Sequence, residues 1–213
     1  MKDQLSHAQK HALLYSYIDG AMEFIFGGIC LLLGVYFYAQ VLLPPDSLLS
    51  RIMSIGLVLI VFGGVFASNK IVRVFKERIT YPRTGYVAYR RAYGLSRWAR
   101  AAIGGGIGML MSALVTLLFS NYRLGAVWMP AITGIVFGIL FLIMAFRTSL
   151  LRLYLLAFYA VLLGGGLMIQ GIGDIYGLAI FYGGMALALL ASGATTLWNY
   201  LRQTRPPEET DEP

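Results

Sequence analysis

The sequence predicts an all-α fold, a polytopic membrane protein built as a bundle of six transmembrane helices with both termini in the cytoplasm. Three observations carry this expectation. Of 213 residues, 58% are hydrophobic and 13% charged, a balance outside that of soluble domains. Six apolar runs, at 21–43, 52–72, 101–120, 126–146, 153–171 and 175–197, are each long enough, at about 1.5 Å of rise per residue, to cross about 30 Å of hydrocarbon. Of the 17 Lys and Arg residues, only Arg51 and Arg123 fall on one side of that arrangement and the other fifteen on the opposite side. Positive residues near spans stay on the cytoplasmic side, which sets the orientation.

Ahead of the first span lies a polar stretch expected to remain attached, because the apolar run after it exceeds the length of a signal-peptide core and no small-residue cleavage site follows. His7, His11, Tyr15, Asp19 and Glu23 recur at every fourth position. A row at that spacing drifts by about 40° per step around a helix, so its ends do not share a face. His7 and His11 lack a third ligand, and no metal site is expected there. Asp19 and Glu23 do share a face, at a shallow depth in the first span. Two expectations follow: an ion pair with Lys or Arg of the neighbouring basic loop, or a site for a coupling ion or proton. Cys30, the lone cysteine, reads as a small packing residue.

The second run ends in Asn69-Lys70, so Lys70 must carry its charge along its own stem to the interface. Next comes the densest basic segment, 73–100, with eight Lys or Arg against the single acid Glu77, interleaved with Tyr81, Tyr86, Tyr89, Tyr93 and Trp98. Basic side chains are drawn to anionic headgroups while Tyr and Trp rings settle at the interface. Pro82 and Gly85 supply turn chemistry between β-branched and aromatic flanks, which predicts a short hairpin followed by an interfacial helix at 88–100. Arg78, Tyr81, Arg83, Tyr86, Arg90 and Arg91 are the candidate contacts to anionic lipid or to a cytoplasmic protein partner. A basic charge of +7 gathered on one membrane face does not call for nucleic acid.

The remaining spans are rich in glycine. Gly104 and Gly108, like Gly134 and Gly138, have the G-x-x-x-G spacing that lets helix backbones approach, and Gly184, Ala188 and Ser192 continue the theme in the sixth span. These are expected to join helices of one chain. The run Gly164-Gly165-Gly166 is a candidate interruption of the transporter kind. Asp174, in the tight connection before the last span, reads as a turn residue or helix cap. The acidic tail 202–213 follows a proline pair and is expected to be disordered.

No phosphate-cradling glycine loop, no zinc motif and no nucleophile set occurs, and no cofactor is called for. The expected function is that of a small, non-enzymatic accessory or regulatory protein of the cell membrane, touching lipid or a partner through loop 73–100. Two other readings stand beside it. One is a transporter of a small solute with Asp19 and Glu23 near the cytoplasmic mouth, and the other a membrane enzyme acting on a lipid or isoprenoid phosphate.

Overall fold

The computed structural model describes residues 20–44, 47–49 and 126–203, together with Gly56, Ile60, Gly63, Gly64, Ala67, Lys70, Ile71 and Val74. The isolated positions from Gly56 to Val74 named above are helical, and the continuous described segments form four long helices and no strand: α1 (Ala21–Leu42), α2 (Met129–Thr148), α3 (Leu151–Ile169) and α4 (Asp174–Gln203). Each is long and apolar enough to cross a membrane, which marks the chain as a membrane protein. Bulky apolar side chains such as Leu31, Val35, Ile139, Phe146, Leu155 and Leu187 are exposed on the outside of the bundle. Such a surface suits lipid and not water.

Local chemistry sets the helix ends and moves several of them from the hydropathy boundaries. Hydropathy places the start of the fourth span at 126, but Ala126–Trp128 form a 3-10 turn and α2 starts at Met129, with Pro130 in its first turn. Proline has no N–H to lose there. Ser149 then takes a left-handed φ of 57° and Leu150 is extended, so α3 begins at Leu151 and takes Arg152 into its first turn. At the far end of α3, Gly171 (φ 69°) follows the helix; Ile172 N–H donates to the Leu167 carbonyl at 2.9 Å and Gly171 N–H to that of Met168 at 3.0 Å. This doubled bond pattern is a Schellman closure, which needs a left-handed residue at the glycine position. The last helix outruns its apolar segment and continues to Gln203, where the Arg202 guanidinium lies 4.8 Å over the Trp198 ring.

The glycine run 164–166 does not interrupt α3, which stays helical from Leu151 to Ile169. The spans at 52–72 and 101–120, apart from the isolated positions named above, lie outside the described residues. So do the loop 73–100 with its expected hairpin and interfacial helix, and the tail beyond Gln203.

Two antiparallel helix pairs make up the bundle. In the first, α1 lies along α4 through Gly20, Gly27 and Gly34, seven residues apart. A Cβ at Gly20 would lie 2.8 Å from the Gly193 carbonyl, one at Gly27 2.9 Å from Leu190 Cγ, and one at Gly34 3.0 Å from the Gly183 nitrogen. A seven-residue repeat keeps one seam on the partner when helices cross at a shallow angle. In the second, α2 and α3 form a hairpin: a Cβ at Gly134 would lie 2.6 Å from the Ala160 carbonyl and one at Gly138 2.6 Å from Val161 Cγ2. The G-x-x-x-G pair of α2 thus contacts a helix of its own chain. Between the pairs, Phe141, Leu153, Phe181, Met185, Leu189 and Cys30 form the buried core, with Phe137 edge-on to Phe181 at 5.6 Å between ring centroids. Helices in lipid gain little from the hydrophobic effect against one another, so this close packing is what joins them.

Candidate functional site

Three helix ends meet where the sequence places its acids. Glu23 sits in the first turn of α1, where the helix dipole favours a carboxylate. Only 2% of it is exposed. Its Oε1 is 3.0 Å from Nε of Arg152, in the first turn of α3. A further Arg152 nitrogen donates to Oγ1 of Thr196 on α4, and that hydroxyl donates to the Ser192 carbonyl at 2.7 Å. Acid, guanidinium and hydroxyl therefore link α1, α3 and α4 at one end of the bundle.

Backbone geometry makes room for this cluster. Gly20 precedes α1 with a φ of 71°, a conformation that side chains other than glycine's rarely adopt. Opposite it, a Cβ on Gly193 would lie 3.1 Å from Phe24 Cδ2 and 3.3 Å from Glu23 Cβ, so α4 presents bare backbone to the first turn of α1. The tight connection through Ser149 and Leu150 swings Arg152 in from the other pair. Removing a charge from water costs several kcal/mol, so a group as covered as Glu23 needs its cation.

Other polar groups of the helices are engaged locally. Thr133 donates to the Met129 carbonyl at 2.8 Å, Thr148 to that of Met144 at 2.8 Å, and Gln40 to the Tyr36 hydroxyl at 2.8 Å. Asp174 opens α4 at the opposite end of the bundle, exposed and with a left-handed φ of 64°. Among the described residues no group of three or more His, Cys, Asp or Glu side chains gathers as metal ligands would.

Of the ion-pair and lipid- or partner-contact candidates read from the sequence, the structure describes Glu23 alone. Asp19, its neighbour one turn upstream, lies outside the described residues, as do His7, His11, Arg78, Tyr81, Arg83, Tyr86, Arg90 and Arg91. Sequence reasoning counted Arg152 only as one positive charge among fifteen and passed over Thr196. The available signal was an arginine held within apolar residues, Leu150-Leu151-Arg152-Leu153, immediately after a two-residue turn. Comparison of the chain with protein-family models, with curated proteins and with solved structures returned no match.

Proposed function

We propose that the chain is a non-enzymatic accessory or regulatory protein of the cell membrane, with six transmembrane helices and both termini cytoplasmic, which meets anionic lipid headgroups or a cytoplasmic protein partner through loop 73–100. The observation that carries this reading is the Glu23–Arg152 contact at 3.0 Å. A transporter would use an acid at this depth to exchange an ion or proton with solvent, whereas Glu23 is covered and engaged with an arginine of another helix. Charge inside the described bundle thus serves to hold helices together, and the chemistry left for recognition is the basic loop.

The cytoplasmic placement of both termini rests on the distribution of Lys and Arg in the sequence. The Glu23–Arg152–Thr196 contacts gather the first turns of α1 and α3 and the last part of α4 at one end of the bundle, an arrangement compatible with that placement.

The test is a titration of the purified, full-length protein in mild detergent with phosphatidylglycerol or phosphatidylcholine, comparing wild type with Arg83→Ala/Arg90→Ala. The proposal expects saturable binding that prefers phosphatidylglycerol and weakens in the variant. Equal binding of both lipids, unchanged in the variant, contradicts the loop as a lipid contact and turns the search to protein partners by cross-linking in cells.

A further inference from the structure

We infer that the face of α1 turned away from α4 forms, with Ile60, Gly63, Gly64, Ala67 and Ile71 opposite it, a site for one acyl chain of an anionic phospholipid. The groove there has a volume of about 550 Å³, and its described lining is apolar, among it Phe24, Gly28 and Leu32 of α1 and Ile60, Gly63 and Ala67 opposite. That volume lies within the roughly 300–1,000 Å³ range of formed ligand sites. It exists because of two glycines: among the described residues nothing lies within 4 Å of where a Cβ on Gly28 or Gly63 would be. The neighbouring glycine, Gly64, is instead filled in, with Ile29 Cγ1 3.1 Å from its would-be Cβ. The two walls therefore touch along one seam and stand apart beside it.

The groove also has a polar end. Gly56 faces Tyr36 and Gly64 faces Ile29, so the two walls run antiparallel, and the groove ends at Phe24 and Ile71, beside the Glu23 end of α1. Lys70, exposed, is the residue next to Ile71, and it opens the basic stretch of the sequence. An apolar groove with an exposed lysine beside its last lining position, Ile71, fits a lipid with its chain inward and its phosphate near Lys70. A zwitterionic lipid offers the same chain and a weaker charge match, so Lys70 sets the preference for an anionic headgroup. This site is separate from loop 73–100, and the two are tested by different substitutions.

The experiment is native mass spectrometry of the full chain in mild detergent with added phosphatidylglycerol or phosphatidylcholine, on wild type, Gly28→Leu/Gly63→Leu, Lys70→Gln and Gly165→Leu. Gly165 on α3 also has nothing within 4 Å of its would-be Cβ and serves as the control for an added leucine elsewhere on the surface. With the loop contact removed by Arg83→Ala/Arg90→Ala in every protein compared, the parent chain is expected to retain one phosphatidylglycerol; filling the groove should lower that retention about tenfold or more, Lys70→Gln should bring the two lipids to equal retention, and Gly165→Leu should change neither. Phosphatidylglycerol with a photoreactive acyl chain, applied to the wild-type protein, should label peptides containing Phe24–Leu32, which keeps the test independent of how the variants fold. Retention unchanged by the two leucines, or labelling spread evenly over the lipid-facing helices, overturns the site. So does a disulfide between Gly28→Cys and Gly108→Cys in a Cys30→Ser background, which would mean that the chain's own 101–120 segment fills the groove.

Discussion

The two helix pairs use the same small residue in different ways. In the α2/α3 hairpin the partners are joined by Ser149 and Leu150, so closing the loop costs little and two glycines four residues apart suffice to seat one helix on the other. The α1/α4 pair joins the two ends of the described chain, and its seam extends over three glycines at seven-residue intervals. Only this pair carries a buried charge, and that charge is answered from α3 of the other pair. Among the described residues the local pair is held by close packing, whereas the distant pair is held by close packing and by a polar tie that also fixes its position against its neighbour. Such polar ties can specify which helices meet and in what register.

The largest effect expected from breaking this contrast is that of Arg152→Ala, which leaves the Glu23 carboxylate buried without its guanidinium. The cost expected is about 3–5 kcal/mol, read as loss of unfolding free energy in mixed micelles, together with loss of a cysteine cross-link placed between α1 and α3. Next come valines at the backbone contacts. Gly134→Val drives a side chain against the Ala160 carbonyl and Gly34→Val against the Gly183 nitrogen, each at about 1–3 kcal/mol. The contrast sharpens in what is lost: Gly134→Val should leave α1–α4 cross-linking intact, while Gly34→Val should reduce it. Gly27→Ala is expected to be milder than either, because it adds one methyl whose nearest contacts are the Leu190 side chain, which can rotate, and Leu189 Cβ at 3.2 Å, and not a backbone carbonyl or nitrogen. The smallest effect belongs to Thr196→Val, which removes one acceptor from Arg152 at about 1 kcal/mol, measured in the same unfolding assay.

Hydropathy made the presence of α1, α2, α3 and α4 legible, because an apolar run of membrane length has few alternatives. Their ends were less so. Hydropathy reports depth in the bilayer and not helix length, so α4 continues through Asn199, Arg202 and Gln203 beyond its apolar segment. The run Gly164-Gly165-Gly166 suggested a break; yet Gly164 packs closely under Pro130 and Gly134, while Gly165 and Gly166 have open space beside them. In lipid the helical hydrogen bonds at such glycines face no competing water. The α2 contact of Gly134 and Gly138 was readable from their spacing. The seam of Gly20, Gly27 and Gly34 was harder to read, because glycines seven residues apart lack the short four-residue spacing of the G-x-x-x-G pairs and Gly28 stands directly beside Gly27.

The candidate site was legible on one side only. An acid at a span entry is costly enough to be noticed, and Glu23 was noticed. Its partner was not, since Arg152 is one of many basic residues and only a turn as short as Ser149-Leu150 brings it into the first turn of α3. The identity of an ion-pair partner depends on which helices are neighbours, and that depends on glycine contacts spread over the whole chain.

The central claim, that Glu23 and Arg152 tie the bundle together, is tested most directly by a double-mutant cycle on unfolding free energy with Glu23→Leu, Arg152→Leu and the pair. The account predicts that each single change is strongly destabilising and that the double variant recovers much of the loss, with a coupling of about 1–3 kcal/mol, since an apolar pair leaves no charge buried. Two single losses that add in full, with no recovery in the double variant, would contradict it and show that the two residues act independently.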